Sequence, residues 1–379
     1  MEYKRFYAEI KLDSIEKNVD CVRNTVGNDT KIMAIVKADG YGHGAVELAS
    51  FLKSKVDYFG VATLDEALEL RNSGCTHPIL ILGVTMAEEF EKAVQYDVTV
   101  AIVDKARAEI LNDVANKLGK IANVHIKIDT GMSRIGFDVN ERTVEDIEYV
   151  SKLSNINIEG VFSHFAKADE ADKTNAKEQI SKFTTLISRL EEKGLNIPVK
   201  HISNSAGIME LDCKLDMVRM GIMLYGQYPS GEMDRNYLLY PAMSLYSHIT
   251  FIKTVKKGTG ISYGHTFVTD KETKVATIPV GYADGLPRSL SGKGCVLINN
   301  VRCPILGRVC MDQLMVDVTE VDNVSVGDKV TVIGDDLTVD EVSCLAGSFN
   351  YEFICGISRR VPRVYTYNNE IIKIKSYLD

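Results

Sequence analysis

No C-x-x-C pair occurs among the 8 cysteines of this 379-residue chain, and no histidine stands near any of them at zinc-ligand spacing. A structural zinc centre and a disulfide framework are therefore both excluded, and no metal is expected. No uninterrupted apolar stretch is long enough to cross a bilayer, and the N-terminus, MEYKRFYAEIKLDS, lacks the apolar core of a secretory signal. The reading is a reduced, cytoplasmic chain. Positive charge is not in excess either: 44 Lys and Arg against 52 Asp and Glu give a net charge of −8. Such a surface repels nucleic acid and anionic membranes, so any anion must be held by a local site.

Hydrophobic residues make up 45% of the sequence and charged residues 25%, as in ordinary globular proteins. At about 150 residues per domain, the length suggests two or three domains. Through the first 230 or so positions, short β-branched runs alternate with amphipathic helical patterns. The runs are 31–37, 58–63, 78–83, 98–103, 123–129, 158–165, 199–204 and 216–222. Helical stretches such as KARAEILNDVANKLG and KEQISKFTTLISRLEEKG end at Gly, a common C-cap. Eight such strands, apolar on both faces, predict a parallel (β/α)8 barrel of the TIM type over residues 1–238; a doubly wound open sheet is the alternative. After residue 238, segments such as 243–255, 273–280, 295–298, 314–318 and 329–333 are strand-like, with Gly, Asp and Asn turns between them. A mainly β domain is expected over 239–379.

Barrels collect function at the carboxyl ends of their strands. Lys37 is expected at the end of the first, Arg134 after the fifth, His164 after the sixth, Asn204 and Ser205 after the seventh, and Arg219 with Gly221 and Ile222 on and after the eighth. An amine in a desolvated strand end has a lowered pKa and is available for Schiff-base chemistry. Ser205 and the Gly221–Ile222 backbone stand where barrels bind phosphate. Taken singly, Lys37 could be a solvated strand-end lysine, His164 an interior histidine, and Tyr263, Tyr282 and Tyr351 packing aromatics. A phosphate site facing a buried lysine suggests pyridoxal 5'-phosphate.

VKADGYGHG around Lys37, NSAG, RMGIMLYG, SYG at 262–264, GYADG at 281–285, GRVCMDQ at 307–313 and ISRRVPR at 357–363 together resemble bacterial alanine racemase across the whole chain. One departure is Gly40, where the family often has Ala. The resemblance implies a homodimer with active sites shared between subunits, which interconverts L- and D-alanine and supplies D-alanine for peptidoglycan. In it, Lys37 and Tyr263 would be the two catalytic bases. The cofactor would be held by Lys37, Tyr41, His164, Asn204, Ser205, Arg219, Gly221, Ile222 and Tyr351. Arg134 and Met311 would bind the substrate, with Lys127 (carbamylated in many members), Tyr282, Cys310 and Asp312 in support. His164 and Arg219, in series, could supply the positive field that a tyrosine base needs. The competing expectations are a serine/alanine racemase of broader specificity, a non-catalytic carrier of the cofactor, and a decarboxylase of the same architecture. Serine-preferring relatives tend to lack the tyrosine found here at 351, and a decarboxylase would pair the ring nitrogen with an acid rather than Arg219.

Overall fold

Eight of the apolar runs close into a parallel barrel. The computed structural model describes residues 5–378. In chain order the first nine strands are β1 (Phe6–Lys11), β2 (Lys31–Ile35), β3 (Tyr58–Val61), β4 (Ile79–Val84), β5 (Thr99–Ile102), β6 (Ala122–Lys127), β7 (Ile156–Phe162), β8 (Val199–His201) and β9 (Met217–Met220). Strands β2 to β8 pair in sequence, and β9 pairs with β2 from Lys31↔Met217 to Ala34↔Met220. The ring is completed between β8 and β9 by Asp216 N–H to Lys200 O (3.1 Å) and Arg219 N–H to Ser203 O (3.0 Å). Burial on both faces explains why β3 and β5 read as continuous apolar runs.

The intervening helices start where the sequence places a cap: Thr63, Asp104, Asn140 and Asn204 each accept a backbone N–H from the first turn. The two helices expected to stop at glycine do so, with Gly119 at φ 62° and Gly194 at φ 81°. Several strands end sooner than expected. β2 stops at Ile35 and β7 at Phe162, so Lys37 and His164 begin the loops rather than end the strands. The cause at β2 is local: the four residues from Ala38 to Tyr41 all have positive φ (52°, 52°, 61°, 51°), which no strand can accommodate.

The remaining strands are β10 (Met243–His248), β11 (Phe251–Val255), β12 (Gly260–Ile261), β13 (Phe267–Val268), β14 (Thr273–Ile278), β15 (Cys295–Ile298), β16 (Val301–Pro304), β17 (Leu314–Asp317), β18 (Lys329–Ile333), β19 (Arg363–Tyr367) and β20 (Glu370–Lys375). They form a seven-stranded sheet in the order β16-β15-β18-β10-β1-β19-β20, a three-stranded sheet β11-β14-β17 and the hairpin β12-β13. The expected strand 243–255 is two strands in different sheets. β1, expected within the barrel segment, instead lies between β10 and β19. Its alternating burial suits a half-buried mixed sheet and not a barrel stave.

Two compact units result. One comprises Glu16–Gly40 and Gly44–Tyr240; the other gathers the N-terminal segment through Ile15, Tyr41–His43 and the chain from Pro241 onward. Among the described residues no helix is long and apolar enough to cross a membrane.

Candidate active site

The turn after β2 is a left-handed one, costing on the order of 1 kcal/mol for each residue other than glycine. Surrounding bonds hold it. Ala38 N–H donates to Glu66 Oε1 (2.7 Å), Gly40 N–H to Val36 O (2.7 Å) and Ala45 N–H to Asp39 Oδ1 (3.0 Å). Glu66 also accepts from Ala62 N–H (2.7 Å), which ties the Lys37 turn to the end of β3. Sequence reasoning passed over Glu66, an exposed-helix acid by composition. Gly40 removes the penalty at one of the left-handed positions, which gives the family departure a structural meaning.

Arg219 on β9 is the centre of the barrel mouth. It is 3% exposed, yet among the described residues it pairs with no carboxylate. Its Nη1 donates to His201 Nδ1 (2.9 Å), and its Nη2 to Ser163 O (2.8 Å), Ile202 O (2.8 Å) and His164 Nδ1 (3.0 Å). The Nε–H has no partner among the described residues. Burial and then the nearby Arg134 charge lower its pKa to about 9, so it remains a cation at neutral pH. Burial and the Arg219, Arg134, Lys127 and Lys37 charges push His164 well below its usual pKa. His164 is therefore neutral. Of the expected His164–Arg219 pair, only Arg219 carries positive charge.

Lys127, buried at the end of β6, donates to Ile128 O (2.6 Å). Burial first, then Arg219 and Arg134, lower its pKa to about 8 against the opposing pull of Asp129. The Arg134 loop is shaped by Asp129, which accepts backbone N–H from Gly131 (2.9 Å), Met132 (2.9 Å), Ser133 (3.1 Å) and Arg134 (3.0 Å). Burial opposes ionisation of that carboxyl, but the N–H groups outweigh it and hold the pKa below the usual value. Gly136 is required here: with φ 118°, a Cβ would sit 2.7 Å from Lys127 O.

Ser205 opens the short helix Ser205–Glu210, capped by Asn204, and is buried. Its Oγ accepts from Gly221 N–H (3.1 Å) and Met223 N–H (3.4 Å), so the sequence-separated pair Ser205 and Gly221 is brought together. Ile222 is buried in the next turn, and Tyr225 within it donates from its hydroxyl to Ile35 O (2.8 Å), fastening that turn to β2. The Ser205 hydroxyl proton has no acceptor among the described residues. A buried Arg219 cation that pairs with no carboxylate among the described residues, its unused Nε–H and a spare hydroxyl proton fit an anionic ligand with a ring acceptor, as pyridoxal phosphate is.

In the other unit, the Tyr41 and Tyr351 rings lie 6.0 Å apart. Arg363, 1% exposed, holds that segment by donating from Nε to Gly42 O (2.9 Å) while its Nη atoms bond the carbonyls of Ile357, Ser358 and Val361. A Cβ on Gly42 would strike Ile354 O at 2.2 Å. Arg363 was legible only as part of ISRRVPR, with no role attached.

Tyr263, Cys310, Met311 and Asp312 line one open cleft of about 580 Å³. Ser262 (φ 64°) turns the chain there, and its hydroxyl donates to Arg308 O (2.7 Å) with Cys310 Sγ at 3.5 Å. Tyr282 joins through its backbone, its N–H donating to Cys310 O (3.1 Å). Beneath them the fully buried Asp284 accepts from Arg5 (3.0 Å), Arg360 (2.7 Å) and Gly281 N–H (3.0 Å), and Arg360 reaches on to Asp312 (2.6 Å). The tips stay in water: Tyr263 is 70% and Met311 52% exposed.

Residues 10–229 match the family profile described as alanine racemase, N-terminal domain, and residues 242–365 that described as alanine racemase, C-terminal domain. Alanine racemase 2 of Caldanaerobacter subterraneus subsp. tengcongensis is 47% identical over 376 residues, 98% of this chain and 97% of that protein. The solved alanine racemase of Clostridium difficile 630 is 44% identical with a TM-score of 0.98, covering 100% of both chains. The same enzyme in complex with cycloserine aligns at 42% identity and a TM-score of 0.95, again over 100% of both chains.

Proposed function

This chain belongs to the alanine racemase family and is an isomerase that interconverts L- and D-alanine; from that premise we propose how its residues do so. Pyridoxal 5'-phosphate would be held at its phosphate by Ser205, Gly221 and Ile222, with Tyr41 and Tyr351, while Asn204 caps the helix that Ser205 opens and the Arg219 Nε–H would be the donor for the ring nitrogen. When bound, the cofactor supplies an electron sink for negative charge at the substrate α-carbon. The observation that carries this reading is the buried Arg219 cation, which among the described residues has no carboxylate partner and an unused Nε–H. Arginine would not give up its proton to the ring, so the bound cofactor would draw charge away only weakly, which would favour quick return of a proton to the α-carbon.

Racemisation needs a proton removed from one face of the α-carbon and returned to the other. We assign the two faces to the Lys37 amine, which also holds the cofactor, and the Tyr263 hydroxyl. Arg134 and the Met311 N–H bind the substrate carboxylate, and Lys127 steadies Arg134. With its pKa near 8, Lys127 is partly a free amine at neutral pH, the form that carbamylation requires. The resulting anion would face Arg134 and Arg219 favourably. Tyr282, Cys310 and Asp312 keep the Tyr263 and Met311 cleft in shape. If Tyr263, Tyr282, Tyr351 and Met311 surround the α-carbon in the assembled site, they would leave room for little beyond a methyl.

A tyrosine is a poor base at neutral pH unless positive charge is brought beside it. The exposure of Tyr263 supports a homodimer in which a second copy brings this cleft over the barrel mouth, so that the barrel unit supplies Lys37 and Arg219 and the other unit of the second copy supplies the second base. A reducing cytoplasm suits the eight cysteines, all free thiols, and D-alanine for peptidoglycan is the proposed use of the product. The test incubates purified protein and cofactor with L-alanine, D-alanine and L-serine, followed by chiral chromatography. Both alanine enantiomers should converge on equal amounts, with serine slower. Cofactor binding without any enantiomer appearing would indicate a carrier; carbon dioxide release from basic amino acids, a decarboxylase.

A further inference from the structure

Behind Arg219, a line of side chains runs from the buried His201 and His125 to the partly exposed Glu159 on β7. His201 Nε2 lies 2.9 Å from His125 Nδ1, and His125 Nε2 lies 3.3 Å from Glu159 Oε2. Glu159 also accepts from Tyr58 Oη (3.0 Å) and Thr99 Oγ1 (3.5 Å). Both imidazoles are 0% exposed. The site is built for them: Phe162 stacks on His201 at 5.0 Å and 8°, and Gly160 leaves the space for His125, since a Cβ there would meet its Cε1 at 2.4 Å.

Proton placement in this line is forced. Arg219 can only donate, so His201 Nδ1 must be bare. The single His201 proton then sits on Nε2 and is given to His125, whose Nδ1 must be bare in turn. The His125 proton sits on Nε2 and is given to Glu159. Neither ring can carry a second proton while these bonds last, and burial pushes both below their usual pKa. Both N–H dipoles therefore point away from Arg219 and toward a carboxylate, an arrangement that stabilises a buried guanidinium without placing an acid beside it.

We propose that Glu159 and His125 are positioning residues of the racemase: they fix the tautomer of His201, which fixes the Arg219 side chain so that its Nε–H faces the ring nitrogen. This rests on the cofactor placement given above. Turning Arg219 away would cost the hydrogen bond to His201 and leave that imidazole acceptor unpaired. An acid in direct contact with Arg219 would pull its donors out of the site; an acid two rings away orients them.

The test separates this inference from the cofactor reading. In full-length protein labelled with 15N-histidine, with and without added pyridoxal phosphate, the ring nitrogen shifts report the tautomer, each of the 7 histidines being assigned by substitution. His125 and His201 should both be neutral with the proton on Nε2. A proton on Nδ1 of either ring, or double protonation, would overturn the proposal whatever the cofactor does. Glu159→Leu should mix the tautomers at His125 and His201. It should also lower kcat about tenfold, the size of effect that outer carboxylate–histidine contacts have at metal centres, with KM changed less than about twofold. Glu159→Gln keeps the acceptor and should restore the tautomers and most of kcat. Gly160→Ala, which removes no polar group but crowds His125, should resemble Glu159→Leu. Wild-type tautomers and kcat in both Glu159→Leu and Gly160→Ala would refute the positioning role. Altered tautomers with unaltered kcat would refute it equally.

Discussion

The barrel mouth and the Tyr263 cleft are fixed by different means. In the barrel a core of side chains is itself locked: Arg219, Lys127, Ser205 and His201 are buried and each makes at least one hydrogen bond, while Arg134 at the rim is exposed. In the cleft the backbone is locked, through Ser262, Cys310 and the Asp284–Arg360–Asp312 chain, while Tyr263 and Met311 project into solvent. One region presents finished chemistry, and the other presents a rigid frame whose tips need a cover. Under the proposed shared site, bringing the two regions together would also dry the place where protons move.

The two lysine and tyrosine bases give the sharpest break of this comparison. Lys37→Ala should lose about 10⁴-fold in racemisation together with stable cofactor attachment, since anchor and base go together. Tyr263→Phe should lose about 10³-fold while cofactor absorbance is unchanged, and single-turnover deuterium exchange should fail from one enantiomer only. Equal loss from both would sink the two-face assignment. Ser205→Ala removes one donor from the phosphate cradle and should raise the cofactor dissociation constant about tenfold, read by titration. The barrel residues also predict an acid sensitivity that the exposed cleft has no cause to share. His125, His164 and His201 sit below their usual pKa, so below about pH 6.5 the unfolded chain binds the extra protons. Stability should be complete above that pH and fall as pH drops, by about 1.4 kcal/mol per pH unit for each imidazole. A urea midpoint unchanged between pH 7 and roughly pH 5.5 would contradict this.

The barrel was legible because its strands are apolar on both faces and its helices carry capping residues, which are local signals. β1 was not, since FYAEIK shows only alternation and its partners β10 and β19 lie more than 200 residues away. β19 and β20 carried a usable sign, Asn368-Asn369 with φ 51° and 62°, the same two-residue turn that Asn299-Asn300 makes between β15 and β16. Among site residues, those next to Gly-rich motifs were found, whereas His125, Glu159 and His201 were not. Each sits on a strand with nothing local to distinguish it, and the line they form exists only once three strands are side by side. The same holds for Arg363, whose partners are backbone carbonyls.

The proposed working site draws on both regions and is shared by two chains. Inactive Lys37→Ala and Tyr263→Ala proteins, mixed under conditions that exchange subunits, test it directly. Random pairing makes half the dimers mixed, each with one intact site, so activity should return to about one quarter of wild type. No recovery, with exchange verified by a tag on one variant, would contradict the claim.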